Sequence, residues 1–455
     1  MAHNSPFTRR QFIKSNILAA LAASTFPSVI PATALGRGGA VAPSERIVVG
    51  AIGVGERGRA VLKGFLDLKG CQVVALCDVK QDALTKARAL VRETYTDLDC
   101  PGIADFRDLI ARRDIDAVMI ASPDHWHVLH AVAAVRSGKD IYVEKPLGLS
   151  LTQDKALRKE VLKHRRVFQF GTQQRSDKKF RLACELVRNG CIGKLKHINV
   201  WAPPSAAGGS TTVVPPPPTL DYNSWLGPAP HREHTENLTL NAHWWHVSDF
   251  ALGFIAGWGI HPLDIALWGM GKLADGTVEV EGEGVFPTAG LHDTATAWDI
   301  DFKFASGVTM KFTSSPDKGN LAQRYGEGWK ARYGQISNHG TAFEGEDGWV
   351  LVDRERILAR PESLVELELE PEKLPLKLVH SPSHALNFIQ SVKSRQPTVS
   401  PVESAVQSDA FCHVADVAIR LGRKLRYEGE AEKFLEDKEA NQRLLVRPMR
   451  QPWKI

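Results

Sequence analysis

The 455-residue sequence has no apolar run of the roughly 18 residues that are needed to cross a bilayer, and it has no internal repeat. None of its six cysteines forms a CxxC pair. A chain of this size does not depend on disulfide bonds for a stable core. We therefore expect mostly buried, free thiols at positions 71, 77, 100, 184, 191 and 412.

Clusters of basic residues are also absent. The formal net charge is +5, and the first 34 residues contribute Arg9, Arg10 and Lys14 but no acid. The remaining 54 basic residues face 52 acidic ones, which leaves +2. No run of Lys and Arg alternates with aromatic residues, so the sequence does not predict a nucleic-acid partner.

The amino-terminal segment is typical of a signal peptide. Arg9-Arg10 is followed by Gln-Phe-Ile-Lys, an apolar run at residues 17–25 and a small-residue cleavage site at Ala32-Thr33-Ala34. A basic start, a short apolar middle and a small-residue exit define such segments, and the paired arginines indicate the twin-arginine type. We predict that residues 1–34 direct export to the periplasm through the twin-arginine machinery, with retention as an uncleaved anchor as the alternative.

A glycine-rich turn follows a short β-branched run at residues 46–52. The turn Gly53-Val54-Gly55-Glu56-Arg57-Gly58 closes this predicted strand and opens a helix, which is the context in which GxGxxG indicates a dinucleotide site. Gly53 allows the tight turn, Gly55 the approach of a pyrophosphate, and Gly58 the packing of the helix on the strand. The predicted cofactor contacts of this turn are Gly53, Gly55, Arg57 and Gly58.

An acid stands where the adenosine ribose of NAD is bound in such sites. Asp78 ends the next predicted strand, at residues 72–77, and lies 20 residues after Gly58. A carboxylate there accepts hydrogen bonds from the ribose hydroxyls and repels a 2′-phosphate. The sequence therefore predicts NAD rather than NADP, although Lys80 weakens this preference.

Strands and helices continue to alternate, which predicts a parallel, doubly wound sheet. The predicted helices are residues 106–112 and 128–137, and the predicted strands are 117–121, 141–143 and 167–170. Ligands bind at the carboxyl ends of strands in such sheets. The candidate cofactor contacts at these ends are Ser122, Trp126, His127, Glu144, Lys145 and Gln174.

Five segments together resemble one known family. They are GVGERG, SPDHWHVLHAVAAVRSGKDIYVEKP, GTQQRS, LDYNSWLGPAP and GIHPLDIALWG. They are similar to the glucose-fructose oxidoreductase, inositol dehydrogenase and rhizopine-catabolism (Gfo/Idh/MocA) family of NAD(P)-dependent sugar oxidoreductases. After the signal peptide, we predict a Rossmann domain at residues 35–172 and an α+β substrate domain at 173–455. Alternating runs at residues 296–304 and 308–313 predict an open, largely antiparallel sheet in the second domain, and residues 400–421 read as a helix that packs on the first domain. The resemblance implies that one face of this sheet forms a homo-oligomer interface.

The resemblance also implies three catalytic residues. Lys145 precedes a proline, which holds its backbone extended at a strand end, and the family lysine binds the substrate hydroxyl and assists catalysis. His261 and Asp264 share one face of a predicted helix, where the family uses the histidine as acid or base and the acid to orient it or the substrate. Relatives often carry an acid where Gly257 stands, so we expect a remodelled pocket.

Two further clusters allow alternatives. His231, His234, His243 and His246 form two HxxH pairs, but no such metal belongs to the family, so we predict no metal. Trp225, Trp244 and Trp245 are candidates for stacking on a sugar or for core packing. The segment 203–218, with four consecutive prolines, predicts a surface loop.

These observations predict an exported, NAD-dependent sugar oxidoreductase. Because export removes the protein from cytoplasmic NAD, we expect the cofactor to stay bound and to be recycled within each turnover. An NAD-dependent glycosidase, which oxidises, eliminates and re-reduces, is the first alternative; exported relatives of that type share the signal and first domain but tend to lack EKP. A non-catalytic sugar-binding protein is the second.

Overall fold

The structure is a computed structural model that describes residues 41–95, 98–314 and 320–455. The predicted signal peptide at residues 1–34 lies outside the described residues. The chain divides into two compact units, Met1–Arg46 and Ile47–Ile455. In the described part of the first unit, Pro43–Glu45 forms a 3-10 helix. The second unit holds both sheets.

The first sheet consists of six parallel strands. They are Ile47–Ile52 (β1), Cys71–Cys77 (β2), Gly102–Ile103 (β3), Ala117–Ile120 (β4), Asp140–Val143 (β5) and Phe168–Phe170 (β6), in the order β3-β2-β1-β4-β5-β6. The helices that connect them are Glu56–Leu66 (α1), Gln81–Thr94 (α2), Phe106–Ala111 (α3), Asp124–Arg136 (α4) and Leu151–His164 (α5). The strand order reverses beside β1, as in dinucleotide-binding sheets. The predicted doubly wound sheet is confirmed.

Helix α4 begins four residues earlier than the predicted start at residue 128. Pro123 directly precedes it, and the acidic Asp124 occupies the first turn, where a negative charge favours a helix start. Apolar periodicity does not mark this turn because its residues face a binding cavity. The histidines and tryptophan that follow β4 are therefore held on a helix rather than on a loop.

The second sheet has nine strands. They are Leu195–Ala202 (β7), Thr277–Val285 (β8), Ala297–Phe304 (β9), Thr309–Ser314 (β10), Gly340–Gly345 (β11), Trp349–Val352 (β12), Ile357–Arg360 (β13), Leu425–Glu428 (β14) and Lys433–Phe434 (β15), in the order β13-β12-β11-β7-β10-β9-β8-β14-β15. Only β7 and β10 pair in parallel among the strands of this sheet. The predicted open, largely antiparallel sheet is confirmed.

Nine further helices follow β6 along the described chain, and one of them, His384–Ser394, packs on the first sheet. They are Lys178–Arg188 (α6), Tyr222–Leu226 (α7), Asn241–Trp244 (α8), Phe254–Gly257 (α9), Ile260–Met270 (α10), Asn320–Tyr333 (α11), His384–Ser394 (α12), Val402–Leu421 (α13) and Lys438–Leu445 (α14). Shorter 3-10 helices occupy Gln173–Ser176, Gly271–Ala274, Glu362–Leu369 and Pro371–Lys373. No helix in the described part of the chain combines the length and the apolar character that crossing a bilayer requires.

Helix α13 lies between the two sheets. Its Phe411 ring is 5.7 Å from the rings of both Phe302 and Phe304 on β9. On its other side, the Asp409 carboxylate accepts hydrogen bonds from the backbone N–H groups of Leu147 (3.1 Å) and Gly148 (3.3 Å). This helix therefore ties the second sheet to the loop that follows β5.

Candidate functional site

A cavity of about 450 Å³ opens at the carboxyl ends of β1, β2, β4 and β5. Its lining comes from the first sheet, from the segment around α7 and α8, and from the last residues of the chain. Ten of the predicted site residues line it: Gly53, Gly55, Arg57, Gly58, Asp78, Ser122, Trp126, His127, Glu144 and Lys145. Among the described residues, Gln174, His261 and Asp264 were also predicted but do not line this cavity.

The three glycines of the turn differ in what surrounds them. A methyl group on Gly53, whose φ is +78°, would lie 2.3 Å from the backbone nitrogen of Ser122. A methyl on Gly58 would lie 2.0 Å from the carbonyl oxygen of Gly53, whereas one on Gly55 would meet no protein atom within 4 Å. Gly53 and Gly58 are thus required for close packing, and Gly55 leaves open the side from which a pyrophosphate would approach the amino end of α1.

Asp78 is fixed at the end of β2 by backbone hydrogen bonds. One carboxylate oxygen accepts from Val54 N at 2.8 Å and the other from Lys80 N at 2.9 Å. Burial raises the pKa of Asp78, while these hydrogen bonds oppose the shift. The Lys80 ammonium donates to the Thr239 carbonyl rather than to Asp78. The carboxylate is therefore oriented by the turn itself, in the place where a ribose diol would be bound.

Glu144 joins the glycine-rich turn to the end of β5. Its Oε1 accepts from Arg57 Nη2 at 2.8 Å and from the Tyr142 hydroxyl at 3.1 Å, while its Oε2 is buried without a partner. Burial raises the pKa of Glu144, but the Arg57 charge outweighs this and holds the pKa below its ordinary value. Both amide atoms of Gln174 are buried without partners. Unsatisfied buried polar atoms of this kind fit a polar ligand such as a ribose or a carboxamide.

The residues after β4 mainly fix the surrounding backbone. The ring of His127 lies 2.6 Å from the Pro146 carbonyl and 2.7 Å from the Ser122 carbonyl. Trp126 donates to the Trp225 carbonyl at 3.0 Å and stacks on His130 at 4.5 Å. His127 thus connects the ends of β4 and β5, and Trp126 presents its ring to the cavity. Their direct contact with a cofactor stays a prediction.

Lys145 is half-buried where the cavity meets the second domain. Its Nζ donates to the carbonyl of Gly257 and lies 5.7 Å from the centroid of the Trp245 ring. Burial lowers the pKa of Lys145, although Glu144 and Asp124 oppose the shift. The partner of the lysine at Gly257 is thus a neutral backbone carbonyl.

His261 lies in the first turn of α10, close to Lys145. It is 5% exposed, its Nδ1 is buried without a partner, and its ring lies 6.0 Å from that of Trp258. Burial and then the charge of Lys145 lower the pKa of His261 well below its ordinary value. A neutral imidazole beside a cationic lysine is suited to accept a proton from a hydroxyl.

Asp264 has other partners than the predicted imidazole. Its two oxygens accept from Arg175 Nε and Nη2, both at 2.7 Å, and Ser408 donates to Oδ1 at 2.6 Å. No hydrogen bond between Asp264 and His261 is present in the structure. This geometry supports a positioning role for Asp264, tying α10 to α13 and to the turn after β6, and its substrate contact stays a prediction.

Sequence reasoning missed several residues at this site. Asp124 lines the cavity, has an unpartnered buried Oδ2, and has its pKa raised well above the ordinary value by burial. Arg175 lies within the GTQQRS segment but is not among the predicted site residues, although its position could have suggested a partner for Asp264. Arg450 and Trp453 also line the cavity, but nothing local in the sequence relates them to the first domain.

Two clusters could be read as metal sites. His243 Nδ1 lies 3.3 Å from His292 Nε2, and the rings of His246 and His292 are 4.9 Å apart. Within the described ranges, a close group of potential ligands is found at Asp154, Asp409 and His413, all buried. His413 Nε2 lies 3.3 Å from the Asp409 carboxylate and 3.6 Å from the Asp154 carboxylate. Burial lowers the pKa of His413, but the two carboxylates together raise it to about 10. This network supports the loop after Lys145, and the absence of a metal remains a prediction.

Curated relatives match about a third of the chain. A glycosyl hydrolase family 109 protein from Shewanella sp. (strain W3-18-1) is 36% identical over 163 residues, which cover 32% of this chain and 35% of the relative. An alpha-N-acetylgalactosaminidase from Shewanella oneidensis is 36% identical over 136 residues, covering 28% of this chain and 29% of the relative. The chain thus spans about a third of the length of the curated relatives it matches.

Solved structures match nearly the whole fold. The WlbA dehydrogenase from Bordetella pertussis, in complex with NADH and UDP-GlcNAcA, has a TM-score of 0.61 and 15% identity over 84% of this chain and 97% of that one. Scyllo-inositol dehydrogenase from Lactobacillus casei, with NAD(H) and scyllo-inositol, has a TM-score of 0.56 and 18% identity over 85% and 99%. At these identities the likeness shows the fold.

Models of one oxidoreductase family match both domains. Its NAD-binding Rossmann fold matches residues 47–172, and its C-terminal alpha/beta domain matches residues 205–336 and 369–455. The predicted cofactor NAD is confirmed by the first match, and the turn, Asp78 and the cavity have the geometry that this cofactor needs. The chain belongs to the Gfo/Idh/MocA oxidoreductase family.

Proposed function

We propose that this protein is an exported, NAD-dependent oxidoreductase that acts on a sugar or sugar derivative and keeps its cofactor bound through many turnovers. The observation that carries the proposal is the meeting of Lys145 with Gly257 and Trp245 at the end of the nucleotide cavity. It joins a proton-transfer group, the cofactor site and an aromatic platform suited to a sugar ring. The solved relatives named above bind inositol or a nucleotide sugar, which supports this substrate class.

Bound NAD supplies the hydride acceptor for oxidation of a carbinol carbon. The substrate hydroxyl proton passes to Lys145 or His261. Burial lowers the pKa of Lys145, which makes its neutral form easier to reach, and it lowers the pKa of His261, which keeps that imidazole neutral and able to accept a proton. Fixed positive charge near the developing alkoxide stabilises it without reorganisation. Asp264 holds α10 in place through Arg175 and thereby positions His261.

Retention of the cofactor is supported by the end of the chain. Arg450, Pro452 and Trp453 line the same cavity as the glycine-rich turn. The Trp453 ring lies 4.8 Å from that of Trp126. A dinucleotide in the cavity would be covered by this segment, and a covered cofactor dissociates slowly. The twin-arginine route accepts folded proteins, so NAD would travel with the protein to the periplasm.

The test is to purify the mature protein from the periplasm without added nucleotide, denature it, and measure the released NAD. We expect close to one equivalent, and a sugar substrate should then reduce it, with an absorbance rise at 340 nm. Reset of that signal by a second carbonyl substrate would demonstrate recycling. Preparations without nucleotide that become active only when free NAD is added continuously would contradict retention.

An NAD-dependent glycosidase is the second candidate, and the curated relatives favour it. Oxidation would acidify the adjacent C–H, the glycosidic bond would be eliminated, and after water addition the hydride would return to the same sugar. This scheme also needs a retained cofactor. Catalytic release of nitrophenol from nitrophenyl glycosides without added NAD would favour hydrolysis, whereas stoichiometric reduction of bound NAD without nitrophenol release would favour net oxidation.

Homo-oligomer formation stays a prediction.

A further inference from the structure

Positive charge accumulates on the second-domain side of Lys145. Arg354, in the turn between β12 and β13, places its guanidinium carbon 5.0 Å from the centroid of the Trp258 ring. Trp258 directly follows Gly257, whose carbonyl binds Lys145, and it contacts the ring of His261. Two cations therefore flank the segment from which His261 extends.

The turn that carries Arg354 is held rigidly. The buried Asp353 accepts hydrogen bonds from Glu355 N at 2.8 Å and Arg356 N at 2.9 Å, and its other oxygen accepts from the Ser337 hydroxyl at 3.0 Å. Because these hydrogen bonds fix the backbone on both sides of Arg354, the position of its Cα atom and the direction of its side chain are defined. A preorganised guanidinium loses less entropy when it binds a ligand.

Arg354 has no carboxylate partner among the described residues. The neighbouring rings add further polar atoms without partners, because both His339 Nε2 and His261 Nδ1 are buried and unpaired. The His339 ring lies 5.6 Å from that of Trp258. A cation–π contact uses the face of a guanidinium and leaves its N–H donors free for an anion. The side chain is also exposed, so an entering ligand can reach it.

Electrostatic repulsion among Arg57, Lys145 and Arg354 also favours an anionic ligand. The side of Arg354 that packs on Trp258 is partly desolvated, and this together with the charge of Arg57 lowers the pKa of Arg354. Arg354 in turn contributes to lowering the pKa of Lys145 and His261. An anion placed among these groups would relieve the repulsion. A neutral sugar would leave it in place.

We propose that Arg354 and the edge of Trp258 form a subsite for the carboxylate of an acidic sugar, so that the substrate is a uronate rather than a neutral hexose. This inference rests on the proposed function. The carboxylate would form paired hydrogen bonds with the guanidinium, the geometry in which arginine and carboxylate match best. The bound anion would orient the sugar so that its hydroxyl carbon faces Lys145.

The test compares methyl β-D-glucuronopyranoside with methyl β-D-glucopyranoside on the NAD-loaded protein. Binding is measured by calorimetry, and oxidation by the absorbance of bound NADH. We expect the uronide to bind at least tenfold more tightly, and Arg354→Gln to remove that preference through KM while bound NAD and the affinity for the neutral glycoside stay unchanged. Arg354→Lys should restore only part of the preference for the uronide. Arg360→Gln, which alters an exposed arginine of the same hairpin that pairs with Glu362, is the matched control.

The outcomes separate the two proposals. Equal affinity for both glycosides, or an equal loss for both in Arg354→Gln, would overturn the acidic subsite, even if neutral sugars reduce the bound NAD. Binding of the uronide that depends on Arg354, without any oxidation or hydrolysis of either sugar, would support the subsite and refute the proposed chemistry.

Discussion

At the scale of single residues, the three glycines of the nucleotide turn have different physical roles. Gly58 leaves no room for a methyl group against the Gly53 carbonyl, while Gly55 faces open space. The sequence motif predicts these different roles, and the surroundings of each glycine agree with them: Gly58 is packed against backbone and Gly55 is open to a ligand. This distinction leads to a paired test.

Gly58→Ala should destabilise the fold, because the added methyl would collide with backbone that cannot move. The cost of such overpacking is about 1–3 kcal/mol. Gly55→Ala should keep the melting temperature of the nucleotide-free protein within a degree or two but lose bound NAD. Thermal unfolding and nucleotide release measure the two effects, and a Gly55→Ala variant that retains a full equivalent of NAD would contradict this assignment.

Lys145→Ala and His261→Ala should each lower kcat by roughly 10²–10⁴-fold, the usual contribution of a proton-transfer group. Bound NAD should remain near the wild-type level, because neither side chain holds the glycine-rich turn. Because the pKa of His261 lies well below its ordinary value, we expect no loss of kcat from its protonation between pH 7 and pH 6.5. Lys63→Ala, at an exposed position on α1, is the control. Wild-type turnover in either active-site variant would exclude that residue from the chemistry.

At the scale of secondary-structure elements, the end of the chain lies over the first domain. Arg450 fastens this segment: Nε donates to the Gly227 carbonyl at 2.9 Å, and Nη1 and Nη2 donate to the side chain and backbone of Asn223, both at 2.8 Å. Beyond this anchor, Trp453 packs against both Phe106 and Trp126. Residues 450–453 thus cover part of the nucleotide cavity, and we call this segment the strap.

Arg450→Ala should therefore release NAD faster, with the dissociation rate rising about tenfold or more, because losing three hydrogen bonds of roughly 0.5–1.5 kcal/mol each loosens the strap. The rate can be followed by dilution of NAD-loaded protein into a scavenging enzyme. Arg443→Ala, on the exposed side of α14, should leave the rate unchanged. An equal rate in Arg450→Ala and wild type would show that the strap does not retain the cofactor.

At the scale of the whole molecule, buried histidines should make the protein sensitive to acid. Burial lowers the pKa of His125, His246, His339 and His384 to about 4. The unfolded chain binds protons at these sites below about pH 6.5, but the folded chain does not, so stability falls as the pH drops from 6.5 towards 4. His413 has the opposite sign: its raised pKa, about 10, gives stability that is present below pH 6.5 and lost as the pH rises through 10.

The melting temperature should therefore drop clearly between pH 7 and pH 5. At pH 5, each of the four histidines lowers the free energy of unfolding by about 2 kcal/mol. His246→Asn should reduce proton uptake on unfolding at pH 5 by about one, because asparagine does not titrate. The Nδ1 atom of His246 has no hydrogen-bond partner that this substitution would remove. Calorimetry in buffers of different ionisation enthalpy measures this uptake. A melting temperature that is constant from pH 7 to pH 5 would contradict the neutral state of these rings.

The sequence alone determined the elements whose signals are local. The β-branched strands, the glycine-rich turn, Asp78 and the Glu-Lys-Pro triplet are each readable within about 20 residues, because a turn or strand end is specified by its neighbours. They predicted the parallel sheet, the family and NAD, all of which are confirmed. The start of α4 was placed late, because a turn facing a cavity lacks the apolar periodicity that marks a buried helix.

Only the tertiary structure decided which distant residues meet. Asp264 binds Arg175 and Ser408, Lys145 reaches Gly257, and Arg450 anchors the strap at Asn223, over separations of 89 to 227 residues. No periodicity or spacing encodes such contacts, since they arise from how α10, α13 and the second sheet pack against the first. The sequence therefore supplied the chemistry of the nucleotide site, and the packing of its elements determined which side chains surround the substrate.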